Sequence, residues 1–268
     1  MRVAVIQLCS GMDKKTNILK ALSLLEEAVA KKARFILLPE FFGCRLPMGQ
    51  SAGPLAEEIP GPTMARFMDL ARQKKVFILA GTIYEKTNQP GKAYNTATLI
   101  GDNGQVLVKY RKRNLFVASV RGKGIDETKH FLPGKKPATA VIENFNVGLT
   151  ICYDLRFPGI FTDYARRGCD VMIAPASFSR STGIAHWEVL LRARAIETLS
   201  YVLAPNQFGA CPGGTPAYGH SLIISPWGEI LAQAPAEGDA VIVADLDKKA
   251  IKQARAILPD VIKKGKRS

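Results

Sequence analysis

Val147-Gly148-Leu149-Thr150-Ile151-Cys152-Tyr153-Asp154-Leu155-Arg156-Phe157-Pro158 is the stretch on which the reading of this chain turns. An apolar, β-branched run stops at a cysteine, polar and charged residues follow at once, and a helix-like segment comes next. That is the pattern of a buried strand delivering a side chain to the rim of a sheet. In open α/β sheets, ligands gather beyond the carboxyl ends of such strands. Cys152 is therefore the first candidate for chemistry.

Outward from this strand the same logic repeats. Residues 2–8 predict a strand, residues 17–33 a helix with Ile18, Leu22, Leu25 and Val29 on one face, and residues 34–38 a second buried strand. A β-α-β unit of this kind makes its two strands parallel. The second strand ends at Pro39-Glu40, a carboxylate at a strand end. Residues 43–61 read as a loop over that edge. Pro62 opens a helix to about residue 75, and residues 76–84 return to strand. Residues 93–100 and 105–110 flank Gly101-Asp102-Asn103-Gly104, a hairpin by its turn chemistry, and the hairpin runs straight into Arg111-Lys112-Arg113. Residues 113–138 read as a long irregular loop of a kind that often carries function. Beyond Cys152, residues 160–167 and 185–200 predict helices, the latter with Trp187, Leu190, Leu191, Ala195, Ile196 and Leu199 as its stripe. Residues 171–175, 201–204, 221–225 and 240–244 predict strands, and residues 248–258 a last helix. No linker or composition shift divides the chain, so one α/β domain with parallel and antiparallel pairings is expected.

Composition narrows the class. The 268 residues are 47% hydrophobic, enough for a sizeable core, and no apolar run reaches the roughly 18 residues of a membrane span. Met1-Arg2-Val3-Ala4-Val5-Ile6 enters a strand directly, without the pattern of a signal peptide, so a cytoplasmic location and no membrane partner are expected. Five cysteines, widely spaced and without C-x-x-C, argue against a disulfide framework and a structural zinc site. The net charge of +14 is not gathered into a nucleic-acid module. Its densest cluster is the tail Lys263-Lys264-Gly265-Lys266-Arg267-Ser268. Solubility and attraction of anionic small substrates account for such a surface, and no specific nucleic acid is expected. His130, His186 and His220 form no metal-binding helix motif, and P-loop and G-x-G-x-x-G signatures are absent from the sequence. No G-x-S-x-G elbow is expected, since Gly49-Gln50-Ser51-Ala52-Gly53 falls within the loop read over residues 43–61 rather than between a strand and a helix.

Three strand ends thus carry Glu40, Lys112 and Cys152. A thiol with an ordinary pKa needs help to be a nucleophile at neutral pH. A carboxylate beside it can take its proton, and an ammonium can favour the thiolate and stabilise an oxyanion. Spacing alone leaves plainer roles open: a core thiol, a capping or ion-paired carboxylate, a solvated lysine.

Leu37-Leu38-Pro39-Glu40-Phe41-Phe42, Lys109-Tyr110-Arg111-Lys112 with Leu115-Phe116, and Gly148 through Pro158 resemble, in order, the signature blocks of the nitrilase, or carbon–nitrogen hydrolase, superfamily. Residues 185–197 and Tyr218-Gly219-His220-Ser221 extend the resemblance, which runs from about residue 2 to 262. It implies a hydrolase domain over residues 1–262 and a basic tail over residues 263–268. It also implies a four-layer α-β-β-α sandwich with mixed sheets. In that pattern Glu40 is the general base, Cys152 the nucleophile, and Lys112 with the backbone N–H of Tyr153 the oxyanion stabilisers. Glu127 matches a second glutamate that positions lysine and substrate, with an ordinary loop carboxylate as the alternative. No metal or organic cofactor is implied.

Tyr153-Asp154 departs from the Trp-Glu of true nitrilases and resembles the Nit-type amidases, which act on small carboxylate-bearing amides. An ω-amide of a 2-oxo acid is the preferred substrate class. Deaminated glutathione, other short amides and N-carbamoyl compounds are alternatives, as is a catalytically idle basic binding protein. Arg156 matches a substrate-carboxylate contact, and Phe178 and Thr182 match pocket positions; a salt bridge for Arg156 and core packing for Phe178 are the plainer readings. Asn114 in place of a histidine, Val117-Ala118-Ser119 in place of an acidic segment, and Arg121 in place of a proline are departures that bear on substrate choice. The resemblance implies a homodimer or higher homo-oligomer, and the stripes of residues 160–167 and 185–200 are candidates for the shared face.

Overall fold

Alternation along the first strand sets the layering of the molecule. In β1 (Arg2–Gln7), Val3 and Val5 enter one apolar cluster while Ala4 and Ile6 enter another, so the strand is buried on both faces. The computed structural model describes residues 1–47, 50–120, 123–210, 215–259 and 261. After β1 come α1 (Lys14–Ala30), β2 (Phe35–Leu37), α2 (Pro62–Lys74), β3 (Phe77–Lys86), β4 (Ala93–Ile100) and β5 (Val106–Arg111). A short ribbon follows, β6 (Val117–Val120) with β7 (Lys123–Asp126). Next are β8 (Thr139–Ile142), β9 (Phe145–Leu149), α3 (Pro158–Arg166), β10 (Val171–Ile173), α4 (Arg180–Thr198) and β11 (Tyr201–Ala204). The last are β12 (Phe208–Gly209), β13 (Ala217–Tyr218), β14 (Leu222–Ile224), β15 (Ile230–Gln233), β16 (Ala240–Asp245) and α5 (Lys248–Ile257).

Two six-stranded mixed sheets carry the fold, ordered β16-β1-β2-β3-β4-β5 and β15-β14-β11-β10-β9-β8. β1, β2 and β3 run parallel, as do β9, β10 and β11, and the flanking strands are antiparallel. Three apolar clusters separate four layers. Leu25 of α1 and Phe67 of α2 pack on Ile6, Ile36 and Ile78 of the first sheet. Val5, Phe35 and Leu79 meet Val147, Leu149, Ile173 and Leu203 between the sheets. Tyr164 of α3 and Trp187 of α4 cover Met172, Val202 and Leu222 of the second sheet. The result is the α-β-β-α sandwich that the sequence implied. No helix among the described residues is long and apolar enough to cross a membrane.

The structure differs from the sequence reading in several places. α4 begins at Arg180 rather than at residue 185, because Gly183 lets the helix pass against Tyr218: a Cβ there would lie 2.4 Å from the ring's Cγ. Residues 113–138 are not wholly irregular, since they hold the β6–β7 ribbon and a 3-10 turn over Glu127–Lys129. The stripes on α3 and α4 face inward: Ile160, Phe161, Tyr164, Trp187, Leu191 and Ala195 belong to the third core. Those residues are committed to packing this chain, while Ile196 of the α4 stripe is 46% exposed and stays on the outer face. Arg121, the loop residues Cys211-Pro212-Gly213-Gly214 and the tail at residues 263–268 lie outside the described residues.

Two packing details hold the strands that lead to the site. Gly148 sits under the ring of Tyr164, where a Cβ would come within 2.7 Å of Cγ, and the Tyr164 hydroxyl donates to the Leu149 carbonyl at 2.6 Å. Glu85, buried in β3, accepts from both Arg111 Nε (2.7 Å) and Nη2 (2.9 Å), from Lys109 (2.9 Å) and from Thr96 (2.7 Å). Burial raises its pKa, but these donors outweigh burial and lower it to about 2.

Gly148→Ala is expected to lose about 1–3 kcal/mol of stability by overpacking, read as a lower urea midpoint at unchanged slope. Because the folded pKa of Glu85 is depressed, its contribution is present above the unfolded carboxylate range and is lost as pH falls towards about 2. Wild type should therefore lose more urea stability than Glu85→Gln between about pH 4.5 and pH 2; parallel losses would contradict this role.

Candidate active site

Glu40 stands three residues past the end of β2. The chain can turn there because β3 passes directly beneath it: at Gly81 a Cβ would lie 1.9 Å from the Pro39 carbonyl oxygen. Phe41 then takes a left-handed conformation (φ 58°), with its N–H donating to Thr82 Oγ1 at 2.9 Å. The Glu40 carboxylate is buried and fully engaged. Oε1 accepts from Lys112 Nζ (3.0 Å) and Asn95 Nδ2 (2.8 Å), and Oε2 accepts from the backbone N–H of Ser177 (2.8 Å).

Lys112 follows β5 without a gap. Its backbone N–H donates to the Asn95 carbonyl at 2.8 Å, which prolongs the β4–β5 pairing by one residue. Its ammonium, 1% exposed, lies 3.0 Å from Glu40 Oε1 and 2.9 Å from Glu127 Oε2. Burial opposes the charge, but Glu127 and Glu40 outweigh it and hold the lysine well above its ordinary pKa. Glu127 opens its 3-10 turn and also accepts from the Phe116 N–H at 2.7 Å. Its carboxyl is pushed up by burial, with Lys112 opposing and Glu40 adding to the rise. Two carboxylates thus share one buried cation, in the place where a metal ion would otherwise be sought. Among the described residues, no group of three or more His, Cys, Asp or Glu is arranged to hold a metal.

β9 ends at Leu149, earlier than its sequence suggests, but the extended path continues: Thr150 N–H donates to Ile173 O (2.9 Å) and Cys152 N–H to Pro175 O (3.0 Å). Cys152 then turns left-handed, φ 45°, into a 3-10 helix over Cys152–Arg156. Asp154 fastens this elbow from below. Fully buried, it accepts from Ile151 N–H (3.0 Å), Tyr110 Oη (2.8 Å), and the backbone (2.9 Å) and side chain (2.8 Å) of Asn114. Burial raises its pKa and those donors partly offset the rise. Asn114, a departure from the family pattern, is therefore part of the scaffold under the elbow. The Tyr153 N–H, in the first turn, has no hydrogen-bond partner among the described residues.

Burial pushes the Cys152 thiol well above its ordinary pKa; Glu40 and Glu127 reinforce the shift and Lys112 only partly opposes it. The expectation that the ammonium favours a thiolate is thus reversed. Carboxylates outnumber the cation, and the resting sulfur is a neutral thiol.

Glu40, Lys112, Glu127, Cys152, Tyr153, Arg156, Phe178 and Thr182 all line a single cavity of about 130 Å³. Arg156 makes no ion pair among the described residues. It contacts His186 Nδ1 at 3.3 Å and lies over the rings of Phe178 (5.2 Å) and Tyr153 (5.9 Å). Phe178 is both wall and core, with its ring 5.0 Å from that of Trp187. Thr182 Oγ1 is 2.8 Å from Ser179 Oγ at the start of α4. Sequence reasoning missed Asn95, Asn114 as a scaffold residue, and the Ser177 N–H. Asn95, a buried amide within a strand, was the one visible signal; a backbone donor leaves none.

The family model for carbon–nitrogen hydrolases matches residues 2–256. The omega-amidase NIT2 of Homo sapiens is 37% identical over 260 residues, 96% of this chain and 92% of that protein. The Danio rerio omega-amidase NIT2 is 34% identical over 259 residues, with the same two shares. Among solved structures, Saccharomyces cerevisiae Nit3, described as a member of branch 10 of the nitrilase superfamily, superposes with a TM-score of 0.87 at 31% identity. It covers 100% of this chain and 96% of its own. The C. elegans NitFhit protein gives 0.89 at 32% identity over 96% of this chain, which spans 63% of that longer one. An amidase from Nesterenkonia sp. AN1, solved with butyramide, gives 0.81 at 25% identity, over 97% of this chain and 95% of its own. With a family model spanning nearly the whole chain and these relatives agreeing with the fold, the protein is an enzyme that belongs to the carbon–nitrogen hydrolase family.

Proposed function

We propose that this protein is an amidase that hydrolyses a small carboxylate-bearing amide, an ω-amide of a 2-oxo acid before others, to the acid and ammonia through a thioester on Cys152. The observation that carries the reading is one cavity in which Lys112 is held between Glu40 and Glu127 beside the thiol, while Arg156 is paired with no carboxylate among the described residues. The omega-amidases among the relatives support the substrate class. A structure of the Nesterenkonia amidase with acrylamide added at its active-site cysteine supports the nucleophile.

In this reading the Cys152 sulfur attacks the amide carbon as its proton passes to Glu40. A neutral resting thiol makes that transfer part of the attack. Negative charge grows on the amide oxygen, and Lys112 with the Tyr153 N–H faces it. Because Glu40 and Glu127 hold the ammonium in advance, its orientation costs no reorganisation at the moment of reaction. Glu40 returns the proton to the nitrogen, ammonia leaves, and a thioester remains. Water, giving its proton to the same carboxylate, then releases the acid and restores the thiol. Arg156 meets the substrate carboxylate through its planar fork, with Phe178 and Thr182 as walls.

The reading includes a homodimer. α4 leaves Val189 (67% exposed) and Ile196 (46%) on one outer face, and the turn carrying Trp227 (49%) adjoins Ile196. Cys9, Cys44, Cys152 and Cys169 are free thiols, which suits a reducing compartment and the cytoplasm as the place of action.

Ammonia release from 2-oxoglutaramate, 2-oxosuccinamate and a simple nitrile, and cysteinylglycine release from deaminated glutathione, test the reading. Wild type should turn over the first two far better than the nitrile, and Cys152→Ala should hydrolyse none of the four; equal traces from the two proteins would end the proposal. Arg156→Gln should raise KM for carboxylate-bearing amides about 10- to 100-fold, the loss of a hydrogen bond to a charged group, with little change for butyramide. Val189→Asp with Ile196→Asp should convert a dimer to a monomer in light scattering, and a wild-type monomer would remove the dimer from the reading.

A further inference from the structure

A second cavity of about 240 Å³ adjoins the first. The two share Phe41, Arg45, Ile125, Glu127 and Ser177 as a common wall, but Cys152 and Arg156 line only the first. The mechanism above makes no use of this second space, and it does not use Arg45.

Arg45 is 2% exposed. Lys112 and Arg194 are the other buried cations among the described residues, and each has a carboxylate: Glu40 and Glu127 for the lysine, Glu197 for the arginine. Arg194 also donates to the Leu155 carbonyl through Nε (3.0 Å) and Nη2 (2.9 Å). Arg45 has no ion pair among the described residues. Its Nη1 reaches the carbonyls of Phe208 and Ala210 only at 3.5 Å each, and among the described residues its buried Nε has no partner and no hydrogen bond reaches Nη2. Neighbouring sequence outside the described residues offers no carboxylate either: Met48-Gly49 and Cys211-Pro212-Gly213-Gly214 contain none. Asp126 and Glu127 line the second cavity but are engaged elsewhere, Asp126 by Thr128 and Glu127 by Lys112 and Phe116. A guanidinium taken out of water and left unpaired is costly unless something supplies an anion.

We propose that Arg45 receives a second carboxylate of the substrate in this cavity, so that the amide hydrolysed here carries two carboxylates, one met by Arg156 and the other by Arg45. The proposal rests on the amidase reading of the Cys152 site and extends it. The cavity has room for an arm of several atoms beyond the reacting carbon, and the guanidinium fork at its edge fits a carboxylate two-pronged. Whether that carboxylate belongs to the acyl arm or to the amine that leaves, the recognising chemistry is the same. In both cases hydrolysis balances as before: water adds across the C–N bond, the acyl part leaves as an acid and the nitrogen part as an amine or ammonia.

The test compares kcat/KM for glutaramate, N-glutarylglycine and the terminal monoamide of tricarballylic acid in wild type, Arg45→Gln and Arg45→Lys. These substrates carry one carboxylate, a second on the amine side, and a second on the acyl side. Wild type should favour one of the two longer amides at least tenfold over glutaramate, which identifies the side. Arg45→Gln should remove that preference through KM, and Arg45→Lys, which keeps the charge, should restore part of it. An unchanged ratio in Arg45→Gln, or no preference in wild type, would overturn the proposal while leaving the amidase reading in place. If wild type hydrolyses no amide, that reading fails, and calorimetric binding of tricarballylate still decides the subsite. Binding at least tenfold weaker in Arg45→Gln supports it, and equal binding removes it. Should Arg45→Gln not fold, Arg45→Lys carries both measurements, with at least a threefold loss expected and no loss as the contrary result.

Discussion

A single buried ammonium group between two carboxylates is the constraint on which the rest of this structure depends. Lys112 is 1% exposed and touches both Glu40 and Glu127. Removing one partner from such a set strands a charge in a low-dielectric interior at a cost of about 3–5 kcal/mol. Each of the three residues must therefore arrive from its own part of the chain in register with the others. Glu40 comes from the end of β2, Lys112 from the end of β5, and Glu127 from the turn after β7. The opposed sheets supply the fourth member, because β9 leads to Cys152 from the other side of the central core.

The fold turns these requirements into backbone geometry. Parallel strands in both sheets end on the same rim, where Glu40 and Cys152 emerge, and each turns at once into a left-handed residue, Phe41 or Cys152. Such conformations persist only where the surroundings over-determine them. Thr82 fixes the first and Asp154 the second, the latter by collecting four hydrogen bonds from three segments. The same Asp154 ties β5 to the elbow through Tyr110, so the strand that carries Lys112 and the turn that carries Cys152 are joined by one buried carboxylate.

Electrostatic balance in the cavity follows from a count of charges rather than from any one pair. A lysine beside a cysteine reads as an activator of the thiol. With two carboxylates around that lysine, the thiol is instead held neutral and the lysine firmly charged. In the proposed mechanism the site waits with a proton on sulfur and a carboxylate to receive it, and its positive charge is reserved for the oxygen that becomes negative.

Much of this was legible in the residues. Periodicity and turn chemistry determined most strands of the two large sheets, the helices read over residues 62–75 and 160–167 and the β4–β5 hairpin, because hydrophobic alternation is a local property of the chain. Ordered motifs around Glu40, Lys112 and Cys152 determined the family, since the chemistry demands those residue types at strand ends. Tertiary structure alone decided the rest. It made most of the stripes of α3 and α4 core while leaving Ile196 outside, which periodicity cannot distinguish, and it began α4 early because Gly183 meets Tyr218 from a distant segment. It turned Asn114 towards Asp154, and it chose the Ser177 N–H, invisible in any sequence, as a donor to Glu40. It also left Arg45 buried with no ion pair among the described residues. Burial, charge balance and hydrogen-bond satisfaction are sums over neighbours from the whole chain, and those neighbours exist only once the two sheets have closed on each other.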